Sequence, residues 1–422
     1  MAELIRTEEE KERVILLGIS PGGDKKENDT EGSLRELKDL AETAGAETLC
    51  TIIQVKEKPD PATYFGSGKI AEVKERIFET KATGVIADDE LSPAQMKNMR
   101  DLLGVKVMDR TVLILDIFAG HAVTGEGKIQ VELAQLKYTA AHLEGMRSSL
   151  SRLGGGIGTR GPGEKKIESD RRAIHERIGR LKAELSVMER HRETVRKSRE
   201  RSHTPVAAIV GYTNAGKSTL LNALTNSSVT AEDKLFATLD PTTRKLLLPD
   251  GQEVLLTDTV GFIRKLPHNL IESFHSTLEE AKYADILLHV VDAGSPEAEL
   301  QMKVVRDTLK SLGIAERETI TVFNKMDTVT GDIMPRDFSS REAVRVCARN
   351  GSGLENLKEA LAEILREQKI YIEKLFPYPQ AGDIQMIRKA GELISEEYTG
   401  EGILVKARVP AETAARLEKK NS

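Results

Sequence analysis

From Arg13 to about His121, short apolar runs alternate with segments of helical spacing. Val14-Ile15-Leu16-Leu17-Gly18-Ile19, Thr51-Ile52-Ile53-Gln54-Val55, Val85-Ile86-Ala87 and Val105-Lys106-Val107-Met108 have the length and β-branched content of buried strands. Between them, Leu34, Leu37, Leu40, Ala41 and Ala44, then Ile70, Val73, Ile77 and Phe78, recur as on a helix face. Strand and helix in alternation predict a parallel sheet.

The pattern then changes period. Ile129, Leu136, Leu143 and Leu150 recur every seven residues, with Leu133, Ala140, Met146 and Leu153 on the adjacent edge. Ile167, Ile174, Leu181, Met188 and Val195 repeat at the same interval, supported by Ile178 and Leu185. Two such seams predict long helices that close on each other as an antiparallel pair. Their connection, Leu153 to Glu164, is too glycine-rich for a helix, and its backbone can approach a surface closely.

Beyond the pair the alternation returns. Val206-Ala207-Ala208-Ile209-Val210, Glu253-Val254-Leu255-Leu256-Thr257, Ile286 to Val291, Thr319 to Phe323 and Val344-Arg345-Val346 read as strands, and Leu354, Leu357, Ala360, Leu361 and Ile364 as a helix. After a linker-like Phe376-Pro377-Tyr378-Pro379, a helix is expected on Ile384, Ile387, Leu393 and Ile394, a strand on Ile403 to Val409, and a polar tail from Leu417 to Lys420. The organisation expected is an N-terminal α/β domain (1–125), a helical linker with its glycine-rich loop (126–202), an α/β P-loop domain (203–370) and a small α+β domain (371–422).

Composition adds compartment and charge. A chain of 422 residues with two cysteines, Cys50 and Cys347, holds neither a disulfide framework nor a cysteine metal cluster, which fits a reducing cytoplasm. No apolar run approaches the ~20 residues of a membrane span, and the charged stretch Glu8 to Arg13 is unlike a signal peptide. The net charge is −5, yet Arg147 to Arg201 alone carries 16 Lys/Arg against 8 Asp/Glu. Such asymmetry points to a polyanion. Arg152, Arg160, Lys165, Lys166, Arg171 and Arg172, with Arg177, flank the glycine-rich tip and suit a phosphate backbone, whereas the mixed charges from Glu184 onward read as a solvated helix face.

The candidate chemistry follows the apolar runs. Gly211-Tyr212-Thr213-Asn214-Ala215-Gly216-Lys217-Ser218, with Thr219 opening a helix, is a phosphate-binding loop: successive backbone N–H groups wrap a polyphosphate. Lys217 reaches the β- and γ-phosphates, and the Ser218 hydroxyl takes a position on Mg²⁺. Asp258, opening Asp258-Thr259-Val260-Gly261, holds the metal through water, and the Gly261 N–H bonds a γ-phosphate only when one is present. Thr238, in Phe236-Ala237-Thr238-Leu239-Asp240-Pro241-Thr242, does the same from the other side by hydroxyl and N–H, with Thr242 as a competitor. Losing the γ-phosphate releases both loops.

Asp327, in Asn324-Lys325-Met326-Asp327, selects the base. Its carboxylate accepts from guanine N1–H and N2–H₂ together, while adenine offers neither donor there. Cys347-Ala348-Arg349 forms the second base-side loop. Phe262 stands where many small GTPases have a water-orienting glutamine, so hydrolysis by the free protein should be slow. Arg264 and Lys265 follow, and neither is read as an arginine finger.

With these residues in place, the chain resembles the HflX family of translation-related GTPases. The resemblance rests on Tyr64-Phe-Gly-Ser-Gly-Lys69, Gln130-Val-Glu-Leu-Ala-Gln135, Gly154-Gly-Gly-Ile-Gly-Thr-Arg-Gly-Pro-Gly-Glu164, the Phe236 to Thr242 block, Asp258 to Phe262 and Ser395-Glu-Glu-Tyr398. It implies a cytoplasmic, monomeric GTPase using GTP/GDP and Mg²⁺. Such a protein binds the large ribosomal subunit and its rRNA, is stimulated by it, and dissociates stalled or idle ribosomes. Attachment to ribosomes or to a membrane surface is left open. Departures are the missing tryptophan before the glycine-rich loop, Gly163-Glu-Lys-Lys166 in place of Gly-Glu-Thr-Lys, and Cys347 where the family has serine. Two other readings stay open. One is a GTP-controlled protein scaffold; the other is ATP-dependent RNA remodelling by the N-terminal domain through Gly66 to Lys69.

Overall fold

The computed structural model describes the chain apart from residues 1–10, 23–28, 154–161, 203, 226–234, 237–238, 268–279, 315–316, 330–334, 338, 411–412, 416 and 418–422. The contacts divide it into two compact units. One is Met1–Met188 with Glu232–Asp240 and Ile263–Ser276; the other is Glu189–Ala231, Pro241–Phe262 and Thr277–Ser422.

The first unit is built on a four-stranded parallel sheet, β1 (Arg13–Ser20), β2 (Glu47–Val55), β3 (Gly84–Ala87) and β4 (Lys106–Asp109), in the order β2-β1-β3-β4. Val14 to Leu17 of β1 are fully buried, as expected of a strand covered on both faces. Helices α1 (Thr30–Thr43), α2 (Ser67–Thr80), α3 (Pro93–Leu103) and α4 (Arg110–His121) alternate with the strands. Their starts are written in side chains. Asp29 accepts from Gly32 N–H, Ser92 and Gln95 form a capping box ahead of Pro93, and Asp109 accepts from Val112 N–H. One charge network is buried at the carboxyl ends of β3 and β4: Arg110, 1% exposed, bonds Asp88 at 2.8 Å and also Glu36, while Ser33 Oγ donates to Asp88 at 2.7 Å.

The two long helices are present as α5 (Gly125–Leu153) and α6 (Pro162–Ser202). On α6, Leu181 is buried and Ile174, Ile178, Leu185 and Met188 are half-buried, so the seam is real. Among the described side chains of α5 the most buried are Gln130, Val131, Leu133, Ala134 and Ala140, which only partly coincide with the expected heptad, because this helix also packs on α3 and α4; the side chains of Met146, Leu150 and Leu153 lie outside those described. Arg177 makes a two-pronged bond to Glu132, at 2.7 and 2.9 Å, and fixes the antiparallel register.

The second unit holds a six-stranded sheet: β5 (Val206–Gly211), β6 (Thr242–Leu247), β7 (Glu253–Asp258), β8 (Ile286–Asp292), β9 (Glu318–Asn324) and β10 (Glu342–Arg345), in the order β10-β9-β8-β5-β7-β6. All its pairings are parallel except β6 with β7. The last element is a three-stranded antiparallel sheet, β11 (Ile370–Phe376), β12 (Glu392–Thr399) and β13 (Gly402–Val409), in the order β11-β13-β12. Two expectations fail there. The helix ends at Ala390, because Gly391 is extended, and Leu393 and Ile394 belong to β12; Leu417 is 3% exposed in this small core and not part of a polar tail. Among the described residues, no helix is long and apolar enough to cross a membrane.

His289 on β8 is 2% exposed, and burial pushes its pKa down to about 4, with Asp337 opposing and Arg306 adding. A folded-state value below the ordinary 6.5 means that the unfolded chain binds more protons between those limits. The stability is therefore complete above pH 6.5 and is lost as the pH falls toward 4. His289→Gln should remove up to ~3 kcal/mol of that pH dependence in denaturant unfolding. An unchanged profile would contradict the assignment.

Candidate functional site

The loop after β5 is shaped by what crowds it. A Cβ at Gly211 would collide with the Val290 carbonyl, and one at Gly216, where φ is +89°, would collide with the Asn324 amide. Asn214 takes φ +58°, so two left-handed residues turn the chain from β5 into α7 (Lys217–Thr225). Lys217 is buried, donates to the Tyr212 carbonyl at 2.8 Å, and is pushed down to about 8 by burial, against the pull of Asp258. Ser218 Oγ donates to Asp258 Oδ2 at 2.6 Å. Two hard oxygen donors thus face each other beside the helix N-terminus, a set suited to a small divalent cation.

The base-side loop is tied to the phosphate loop by one residue. Asn324 Nδ2 donates to the Ala215 carbonyl, and its Oδ1 accepts from Ala348 N–H, both at 3.0 Å. Lys325, at φ +58°, reaches Asp292 at 2.9 Å, and Met326 opens a single 3₁₀ turn that presents Asp327. The Cys347 thiol donates to Asp327 Oδ1 at 3.1 Å. That bond first, helped by the backbone and by Arg349 and Lys325, holds Asp327 below the ordinary carboxylate range. The carboxylate is thus ionised and aimed. Ala348 and Arg349 lie in the turn after β10.

Gly261 lies against the phosphate loop. Phe262 N–H donates to the Gly211 carbonyl at 3.1 Å, and Thr213 N–H donates to the Phe262 carbonyl at 2.7 Å. Thr259 Oγ1 bonds the Ile209 carbonyl and Val260 is buried, so these two side chains serve the fold between Asp258 and Gly261. Thr242 pairs with Asp258 across the β6–β7 ladder. Thr219 continues α7.

Other expected residues fall elsewhere. Thr238 and Ala237, like Arg160 and the glycine-rich stretch 154–161, lie outside the described residues. Arg152 is in α5, and Lys165 and Lys166 are in α6; Arg171 is half-buried, and Arg172 is exposed and pairs with Glu168 at 3.7 Å. Phe236 packs edge-on against Phe118 with ring centroids 4.6 Å apart. Gly66 caps α2 with no side-chain bond, and Lys69 is paired with Glu72 at 2.8 Å. Sequence reasoning missed Asp240, Asp88 and Glu36, each of which has at least one partner more than a hundred residues away.

A phosphate loop tied through one asparagine to an ionised Asn-Lys-x-Asp carboxylate is the nucleotide site of the P-loop GTPases. Known sequences narrow that class. Residues 31–119 match the family described as GTP-binding GTPase N-terminal, 121–199 the GTP-binding GTPase Middle Region, and 206–325 the 50S ribosome-binding GTPase family. GTPase HflX of Lacrimispora saccharolytica is 61% identical over 417 residues, 99% of this chain and 98% of its own. That of Escherichia coli K12 is 40% identical over 412 residues, 96% and 95% of the two chains. The chain belongs to the HflX family of GTPases, and it binds and hydrolyses GTP. Among solved structures, a GTP-binding protein of Sulfolobus solfataricus in complex with GDP aligns with a TM-score of 0.43 and 24% identity, over 83% of this chain and 98% of its own.

Proposed function

We propose that this GTPase works on the ribosome: with GTP bound it docks on the large subunit through its basic hairpin tip, and the docking separates stalled or idle ribosomes. What supports this reading is the bond between Glu132 and Arg177, which pairs α5 with α6, together with the cluster of Lys and Arg that the sequence places from Arg152 to Arg172 around the connection between the two helices. Clustered Lys and Arg on a narrow end suit rRNA phosphates. The description of the family matched by residues 206–325, 50S ribosome-binding GTPase, supports the same partner.

In this reading residues 203–370 form the GTP-binding domain, 126–202 the RNA-reaching hairpin, and the protein acts as a monomer in the cytoplasm. The phosphate-loop N–H groups and Lys217 hold the β- and γ-phosphates, while Thr238 and the Gly261 N–H sense the last of them. Ser218, Thr238 and Asp258 would hold Mg²⁺, which neutralises phosphate charge when bound. Asp327, oriented by Cys347, reads guanine; Asn324 and Ala348 keep that loop in register. Phe262 supplies no polar atom to orient the attacking water, so the ribosome completes the site.

Sedimentation with purified large subunits tests the proposal. A non-hydrolysable GTP analogue should raise the bound fraction at least ~10-fold in affinity over GDP. Equal, weak sedimentation with either nucleotide would defeat it.

A further inference from the structure

Within the first unit, α3 and α5 frame a cleft that the nucleotide chemistry does not use, with a volume of about 270 Å³. From α3 come Met96, Lys97 and Arg100, and from α5 come Tyr138, His142 and Leu143. Residues three or four apart share one side of a helix, so a single stripe of α3 faces a single stripe of α5.

The aromatic wall is fixed in place by its polar atoms. The Tyr138 hydroxyl donates to Asp109 Oδ2 at 2.9 Å, and the same fully buried carboxylate accepts from Leu91 N–H at 3.0 Å and Val112 N–H at 2.9 Å. Burial, and then Asp109, raises the Tyr138 pKa far above its ordinary value, so the phenol remains protonated and keeps this bond. His142 Nδ1 lies 3.0 Å from the Tyr138 carbonyl, and its Nε2 lies 3.2 Å from the Leu91 carbonyl. The two ring centroids are 4.0 Å apart with the planes tilted by 30°. Every polar atom of the pair is thus committed to the protein. What the rings offer a ligand is flat apolar surface that is already ordered.

The rim has the opposite character. Lys97 and Arg100 are exposed, and among the described residues their side chains make no hydrogen bond or ion pair. Three residues apart on one helix, these like charges repel each other slightly and gain from a shared anion. No carboxylate lines the cleft to neutralise them. The volume falls just below the range of about 300–1,000 Å³ found for drug-sized ligands, which selects a body of one or two fused rings.

We propose that this cleft is a binding site for a small planar aromatic carboxylate, its ring against His142 and Tyr138 and its carboxylate between Lys97 and Arg100. Shape comes from the pinned rings with Met96 and Leu143, and the sign of the charge from the two free cations.

The test titrates naphthoate into the full chain with GDP bound and reads binding by calorimetry. A dissociation constant of about 0.1 mM or tighter is expected for a ligand of this size. Naphthyl methanol, the same rings without the charge, should bind at least about fivefold more weakly, and naphthoate should lose a similar factor on the double variant Lys97→Gln, Arg100→Gln. Met96→Trp fills the cleft and should abolish binding, with an unchanged thermal unfolding curve showing that the chain is intact; the double variant, at exposed positions, carries the test if that one does not fold. No binding to the wild-type chain, equal affinity for the alcohol, or a naphthoate affinity that neither variant alters would overturn the proposal. So would a cleft that leaves naphthoate unbound and takes a short oligoribonucleotide in its place, blocked by Met96→Trp.

Discussion

Asp327→Asn should turn the protein from a GTP binder into an XTP binder. The carboxylate is exposed and ionised, and the Cys347 thiol fixes one of its oxygens, so it presents acceptors in a set direction. Guanine meets it with two donors. An asparagine keeps one acceptor for N1–H but puts an amide donor opposite the exocyclic N2–H₂, leaving two donors face to face. Xanthine carries a carbonyl at C2, which accepts from that amide. Mismatches of this kind change selectivity by roughly 10³-fold or more. Competition titration of the variant with GTP and XTP reads the outcome, and an unchanged preference for GTP would remove Asp327 from its role.

The second large effect concerns rate. Phe262 is 2% exposed and its backbone is bonded to Gly211 and Thr213, so nothing at this position can orient a water. Arg264 and Lys265, the nearest cations along the chain, are committed to Glu36, Asp88 and Asp89. Among the described residues around Phe262 no side chain is therefore placed to aim the nucleophile, and the phosphate loop is the contribution that the free protein keeps. Turnover measured with isolated large subunits should exceed the basal rate by at least ~10²-fold, the scale of supplying one preorganised polar group or an arginine finger. Basal turnover already at the stimulated level would mean that this chain completes its own site.

The nucleotide site was legible because each of its parts is a contiguous motif at the end of an apolar run. Gly211 to Ser218, Asp258 to Gly261 and Asn324 to Asp327 announce themselves locally, and a parallel sheet brings strand ends together. The long-range bonds were not legible. Asp240 bonds Thr124 across 116 residues and Lys265 bonds Asp88 across 177, and no local pattern encodes such pairings. The strand β6 was missed because Thr-Thr-Arg-Lys-Leu-Leu is an edge, with only Leu246 buried. The C-terminal helix was drawn too long for the opposite reason: Leu393 and Ile394 continue a helical spacing that the extended Gly391 interrupts. On α5, heptad spacing described only the side toward α6 and missed the face against α3 and α4.

A terminal phosphoryl group that governs how a basic tip meets ribosomal RNA is a claim that one sedimentation experiment reaches directly. Arg160, Lys165 and Arg171, changed together to alanine, should abolish the nucleotide-dependent gain in large-subunit binding while GTP affinity stays at the wild-type level. Retention of the full gain by that triple variant would contradict the account.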